Sequence, residues 1–125
     1  MSEKEKTCTS LGIELCANLM VPRTLNLEEF HLCSLFSNLL DNAIEAVQNL
    51  EEDRRRIEVD AGIRGKYLFI KVRNPSEESH AHRKKRRGRG YGTQILGDLA
   101  RRYEGSFVTS YDGRYFQSAL SVKAL

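Results

Sequence analysis

The sequence has little cysteine and no long apolar run, and each shortage excludes a class of protein. Its three cysteines are odd in number and widely spaced, which favours neither a disulfide framework nor a zinc site with a C-x-x-C pair. No stretch is long and apolar enough to cross a membrane, and the polar start MSEKEKTCTS lacks the apolar core of a signal peptide. We therefore expect a reduced, cytoplasmic chain, with residues 1–11 as a disordered lead and 12–125 as one domain.

The hydrophobic pattern predicts alternating strands and helices without an internal repeat. In chain order it indicates a strand within Gly12–Pro22, a helix from a capping box at Asn26 and Glu29 to about Leu50, a hairpin of Arg56–Ile63 and Tyr67–Val72, a nearly apolar-free loop over Asn74–Gly88, a helix over Gly90–Tyr103, and a hairpin turning at Asp112-Gly113. This order is typical of an α+β two-layer sandwich, with helices on one face of a mostly antiparallel sheet.

The first predicted helix carries a polar stripe on an otherwise apolar surface. The segment NLLDNAIEA places four polar residues at i, i+3, i+4 and i+7, on one helical face: Asn38, Asp41, Asn42 and Glu45. Asn and Asp are weak helix formers, so a requirement other than helix formation selects them. Two interpretations carry similar weight, a structural hydrogen-bond network and a ligand site whose amide oxygens bind a hard cation such as Mg²⁺.

A glycine cluster, GRGYG at Gly88–Gly92, opens the second predicted helix. Glycines let backbone N–H groups approach a ligand closely, and a helix N-terminus favours anions such as phosphate. The cluster is neither a P-loop nor a Rossmann fingerprint. Alone, it is more often a flexible hinge, but its combination with the polar stripe and the basic run HRKKRRGR favours a nucleotide site.

Together these motifs resemble a known family. NLLDNAIEA resembles the N box, and GRGYG the second glycine box, of the Bergerat-type (GHKL) ATPases, which include histidine kinases, type II topoisomerases and MutL. VRNP, Val72–Pro75, is similar to the Asn-Pro pair that quorum-sensing and citrate-type sensor kinases carry in place of the first glycine box. The resemblance covers the chain from about Gly12 onwards. It implies the Bergerat fold, Mg·ATP as cofactor, and transfer of the γ-phosphoryl group to a histidine.

The resemblance also implies roles for the matching residues. Asn42 would hold Mg²⁺ against the phosphates, Asn38 would contact phosphate or the metal's water shell as a second candidate ligand, and this pair would be catalytic. Asn74 would read the adenine amino group, and about residues 76–88 would form the ATP lid. The cofactor-binding residues predicted in this way are Asn38, Asp41, Asn42, Asn74, Lys84, Lys85, Gly88, Arg89, Gly90, Tyr91, Gly92 and Thr93.

Two positions depart from the family pattern. Arg89 stands where this group commonly has histidine, and Thr93 stands where leucine is usual. Each substitution either adds a contact to phosphate or marks relaxed nucleotide binding. The basic lid residues Lys84 to Arg87 likewise either pair with the triphosphate or remain solvated.

The resemblance implies partners outside this chain. The phospho-acceptor histidine would lie on a separate dimerisation domain, because no helical hairpin fits before Gly12 and His31 in the long helix is best explained as structural. The full-length protein would be a membrane-anchored, dimeric sensor that signals to a response regulator. Alternatives are an anti-sigma-type GHKL serine kinase, an ATP-dependent clamp, and a nucleic-acid-binding module using the basic loop. The Asn-Pro pair, and the absence of aromatics within the basic run, favour the kinase and predict no nucleic-acid partner.

Overall fold

Three helices and five strands make up the part of the chain that the computed structural model describes, residues 2–76 and 90–125. In order they are α1 (Ser2–Ser10), β1 (Glu14–Leu19), α2 (Glu29–Gln48), a 3₁₀ turn (Glu52–Arg54), β2 (Arg56–Arg64), β3 (Tyr67–Pro75), α3 (Gly90–Arg102), β4 (Ser106–Tyr111) and β5 (Tyr115–Lys123). The predicted α+β fold is confirmed.

The five strands form one mixed sheet in the order β1-β2-β3-β5-β4. Strands β1 and β2 are parallel, with α2 in the connection between them, while the other three pairings are antiparallel. Both predicted hairpins are present. Gly65 (φ 60°) lies in the first turn and Gly113 (φ 97°) in the second, each in the left-handed conformation that glycine adopts without strain.

One core lies between the helices and one face of the sheet. Because side chains alternate along a strand, the antiparallel register aligns the buried residues, as in the row Ala61, Ile70 and Leu120. Helix α2 packs against β3, and α3 packs against β4 and β5. The opposite face is more open, with exposed Asp60, Lys71 and Val108.

The predicted disordered lead was wrong for Ser2–Ser10, which forms helix α1. Its single apolar side chain, Cys8, is 1% exposed and belongs to the core, and this burial raises the pKa of the Cys8 thiol. One apolar residue in nine gave no helical periodicity to detect. Tertiary packing through Cys8 and the adjoining Ile13 therefore holds a segment that composition alone describes as solvated.

The predicted capping box was also wrong. Helix α2 begins at Glu29 after an extended Glu28, whose side chain makes no capping hydrogen bond. The Asn26 N–H instead donates to the Ala124 carbonyl at 2.7 Å. A backbone pairing with the C-terminal end of the chain thus takes the place of the local cap.

Strand β3 runs further than the sequence indicated, because Asn74 and Pro75 pair with β5 rather than opening a loop. Proline fits here because pairing with β2 ends at Arg73, so Pro75 lies where β3 has a neighbour on one side only. Ser76 is buried and continues the pairing, its N–H donating to the Arg114 carbonyl at 2.9 Å. The rest of the predicted loop and lid, residues 77–88, lies outside the described residues.

The turn after α3 brings the chain against β5. Gly105 donates its N–H to the Ala100 carbonyl at 2.7 Å, and a Cβ at this position would lie 1.8 Å from the Ser121 carbonyl oxygen. Only glycine permits this close approach. The predicted end of the second helix near Gly105 therefore has a packing reason.

Candidate nucleotide-binding site

The polar stripe of α2 divides into two half-buried amides and two exposed carboxylates. Asn38 and Asn42 are half-buried, whereas Asp41 and Glu45 are exposed. The neighbouring positions Leu39, Leu40 and Ala43 belong to the core. The two asparagines therefore lie nearer the apolar interior, where water competes less for a bound cation.

The orientation of the Asn38 amide is fixed by the preceding turn of α2. Its Nδ2 donates to the Ser34 carbonyl at 2.7 Å and lies 3.2 Å from Ser34 Oγ. An amide has distinct donor and acceptor ends, so holding Nδ2 against the helix turns the acceptor, Oδ1, away from it. Oxygen is the ligand type that Mg²⁺ prefers.

Asp41 forms an ion pair with a lysine of helix α1. Lys4 Nζ lies 2.5 Å from Asp41 Oδ1, and the Asp41 side chain is 57% exposed. This partner could not be read from the sequence, because the lead was expected to be disordered. The ion pair is an alternative to the predicted cofactor contact of Asp41, and at this exposure it contributes no more than about 1 kcal/mol.

Asn74 lies on the inner face of β3. It is 2% exposed, and its Nδ2 donates to the Pro75 carbonyl at 2.8 Å. It follows Val72 on the side of the sheet against which α2 packs. The structure therefore places Asn74 of the Asn-Pro motif on the side of the sheet that carries the polar stripe.

Two glycines of the predicted phosphate turn, Gly90 and Gly92, lie in the first turn of α3. Gly90 is the first helical residue, no acidic side chain occupies the first turn, and Thr93 is half-buried. The first backbone N–H groups of a helix lack partners within it and favour an anion. Of the other predicted cofactor residues, Lys84, Lys85, Gly88, Arg89 and the Tyr91 side chain lie outside the described part of the chain.

A side-chain contact links helix α2 to the C-terminal end of α3, away from the glycines of α3. His31 Nδ1 lies 2.5 Å from Tyr103 Oη, and their rings meet edge to face with centroids 5.5 Å apart. The His31 side chain is only 14% exposed. This contact gives His31 the structural role that the sequence suggested, and it fixes the position of α3 relative to the polar stripe.

The described residues contain no cluster of three or more His, Cys, Asp or Glu side chains that could hold a metal ion by itself. A Mg²⁺ site on α2 would therefore combine amide oxygens with oxygens of the nucleotide and water, as Mg²⁺ commonly does beside phosphates. The oriented amide of Asn38 and the first turn of α3, which carries no acidic side chain, fit such an assembly.

Comparisons with known proteins identify the family and the fold of the chain. The model of the GHKL domain family matches residues 27–123. The catalytic domain of histidine kinase ThkA has the same fold, with a TM-score of 0.75 and 16% identity over 98% of this chain and 86% of that one. Acinetobacter baumannii histidine kinase AdeS gives a TM-score of 0.67 and 13% identity over 98% of this chain and 61% of that one.

A further structural neighbour is full-length ShkA in complex with AMPPNP, with a TM-score of 0.73 and 16% identity over 98% of this chain and 29% of that one. No curated protein matches the chain by sequence. Within residues 2–76 and 90–125, none of the helices is long and apolar enough to span a membrane.

Proposed function

The chain belongs to the GHKL domain family, and from this premise we propose that it is the Mg·ATP-binding catalytic domain of a two-component sensor histidine kinase. Residues 12–125 form this domain in the proposal, and helix α1 packs against it through Cys8. Its fold is that of histidine kinase catalytic domains. The full-length ShkA structure holds AMPPNP, which supports an ATP-type nucleotide as the ligand of this fold.

The observation that carries the proposal is the orientation of Asn38. Its Nδ2 is held by Ser34 at 2.7 Å, so its Oδ1 points away from the helix one turn before Asn42. The hydrogen bond to Ser34 uses the donor end of the Asn38 amide. A metal–phosphate assembly would use the acceptor end, because Mg²⁺ prefers oxygen ligands and shares its coordination shell with phosphates and water.

Each element would then have one task. Asn42 and Asn38 would hold the metal, the N–H groups of Gly90 and Gly92 would hold the β- and γ-phosphates, and Asn74 would accept from the adenine amino group. Bound Mg²⁺ would bridge and neutralise the phosphates. Phosphoryl transfer requires mainly such positioning and charge neutralisation, so these groups need no general base on α2.

The acceptor histidine belongs to a dimerisation domain in this proposal. The described residues include one histidine, and its contact with Tyr103 at 2.5 Å occupies it structurally. The domain by itself is therefore expected not to phosphorylate itself efficiently. In the cell it would act on the cytoplasmic side of a membrane-anchored dimer and signal to a response regulator. The basic run that would support nucleic-acid binding lies outside the described residues, so no observation favours that alternative.

Calorimetric titration with AMPPNP, with and without Mg²⁺, tests the proposal on the wild-type chain, Asn42→Ala and a control, Asn18→Ala. Asn18 is an exposed asparagine of β1. We expect saturable binding that requires Mg²⁺ and Asn42 but not Asn18. An Asn42→Ala variant that loses stability while its nucleotide binding is unchanged would assign the stripe to structure alone. No binding by the folded wild-type chain would refute the proposal.

A further inference from the structure

A cavity of about 390 Å³ opens at one end of the sheet, away from the polar stripe. It lies where the 3₁₀ turn leads into β2, where β3 ends and where β5 begins. Its lining residues are Asp53, Arg54, Arg56, Pro75, Arg114 and Tyr115. Along the strands Arg56 and Tyr115 alternate with inward-facing positions, so the cavity opens towards the face of the sheet opposite the helices.

Three arginines and one aspartate line the cavity. Arg56 is shared between two carboxylates, with Nη1 3.5 Å from Glu14 Oε1 and Nη2 3.6 Å from Glu58 Oε1. These distances exceed the roughly 2.7–2.9 Å of a strong charge-assisted hydrogen bond. In the described residues, no carboxylate forms an ion pair with the Arg114 side chain. Arg56 and Arg114 therefore retain capacity for a tighter anionic partner.

The backbone that carries Arg114 is held from two sides. Asp112 Oδ1 accepts from the Arg114 N–H at 2.9 Å and from the Tyr115 N–H at 2.7 Å. The Arg114 carbonyl accepts from Ser76 at 2.9 Å. Fixing this backbone before a ligand arrives lowers the entropy cost of binding, which is the general advantage of a preorganised site.

The Tyr115 side chain forms one wall of the cavity, and a guanidinium group stacks on its ring. The Arg73 guanidinium stacks on the Tyr115 ring at 3.8 Å from its centroid, and Arg73 Nη1 also bonds Glu58 Oε2 at 3.2 Å. The stacking holds the Arg73 guanidinium beside the cavity, and Glu58 balances its charge.

We propose that this cavity is a second ligand site, which binds the phosphate or carboxylate group of a small anion. Arginine presents a planar fork of donors that matches both groups. The site shares no residue with the stripe of α2 or the first turn of α3, so it stands independently of the proposed ATP site.

Calorimetric titration with sodium pyrophosphate and, separately, sodium citrate tests the proposal at constant ionic strength. The chain is compared with Arg114→Gln, with Arg54→Gln, and with Arg102→Gln, an exposed arginine of α3 that is not part of the cavity. We expect at least one anion to saturate the wild-type chain. Arg114→Gln should weaken binding about tenfold, the effect of losing one charge-assisted hydrogen bond, and Arg54→Gln should weaken it in the same direction.

The anion that binds identifies the ligand group, phosphate for pyrophosphate and carboxylate for citrate. Unchanged binding in Arg102→Gln and Asn42→Ala would separate the cavity from general surface charge and from the ATP site. The proposal is overturned if neither anion binds saturably, if Arg102→Gln weakens binding as much as Arg114→Gln, or if Asn42→Ala alone abolishes binding. Thermal unfolding of each variant verifies that it is folded.

Discussion

Replacing Asn74 with aspartate would convert the most deeply buried amide of the site into a carboxyl group. In the wild-type chain Asn74 is 2% exposed, and its Nδ2 donates to the Pro75 carbonyl at 2.8 Å. A protonated aspartic acid can keep this bond by donating its O–H. An ionised aspartate would instead oppose one acceptor oxygen with another in a site from which water is excluded.

The magnitude follows from linkage between ionisation and folding. Desolvation and the Pro75 carbonyl both favour the protonated form, so the pKa of Asp at this position is raised in the folded state above its unfolded value of about 3.9. The free energy of unfolding of Asn74→Asp is therefore retained below the unfolded pKa, and it falls as pH rises from that value towards the folded pKa. The loss amounts to about 1.4 kcal/mol per pH unit over that interval, which gives at most about 4 kcal/mol at pH 7.

Urea unfolding followed by circular dichroism suits this chain, which has no tryptophan. The free energy of unfolding of Asn74→Asp is compared with that of the wild type at pH 4, 5, 6 and 7. Asn26→Asp is the matched control, because Asn26 is exposed and its difference from the wild type should stay nearly flat. An Asn74→Asp difference that is independent of pH, or that shrinks as pH rises, would refute the reasoning.

Two further predictions concern the framework of the site. Arg55 donates to the Leu11, Leu50 and Gln48 carbonyls at 2.7, 3.1 and 3.3 Å. Arg55→Met should therefore lower the free energy of unfolding by about 2–3 kcal/mol. A loss under about 0.5 kcal/mol, measured by urea unfolding, would contradict this prediction. Backbone N–H bonds from Tyr115 and Arg114 lower the pKa of Asp112 below its usual 3.8, and stability gained this way is present above that value and lost as pH falls. Asp112→Asn should therefore unfold at a lower urea concentration than the wild type at pH 6, and this difference in urea midpoint should narrow below about pH 4. A difference in midpoint that does not change with pH would exclude the Asp112 charge as the cause of the destabilisation.

The fold could be predicted from the sequence wherever a local pattern matched the tertiary environment. The alternation in RIEVDAGI and YLFIKV is that of strands with one buried face, and the register of β2 and β3 buries Val59 opposite Val72 as that pattern requires. Asp112-Gly113 fixes its hairpin through local geometry. In these segments the propensity, the turn chemistry and the burial all favour one structure.

The elements that could not be predicted depend on contacts between distant parts of the chain. Helix α1 is held through Cys8 in the shared core, and the start of α2 is set by Asn26 pairing with Ala124 rather than by a cap. The same limit applies within the site. The spacing of Asn38 and Asn42 indicated a shared face, but the contact of Lys4 with Asp41 depends on a helix without a detectable pattern of its own.

The end of β3 carries one residue of each of the two proposed sites. Strand alternation turns Asn74 inward, towards the side packed by α2, and turns Pro75 outward, to the arginine-lined cavity. The next residue, Ser76, is tied to the second hairpin through its N–H to Arg114 and through its carbonyl to Tyr111 Oη at 3.2 Å. An anion that immobilises Arg114 would therefore act on the same hairpin that holds Ser76. A change in AMPPNP affinity on adding the cavity's anion, absent in Arg114→Gln, would measure the coupling between the two sites as a free energy.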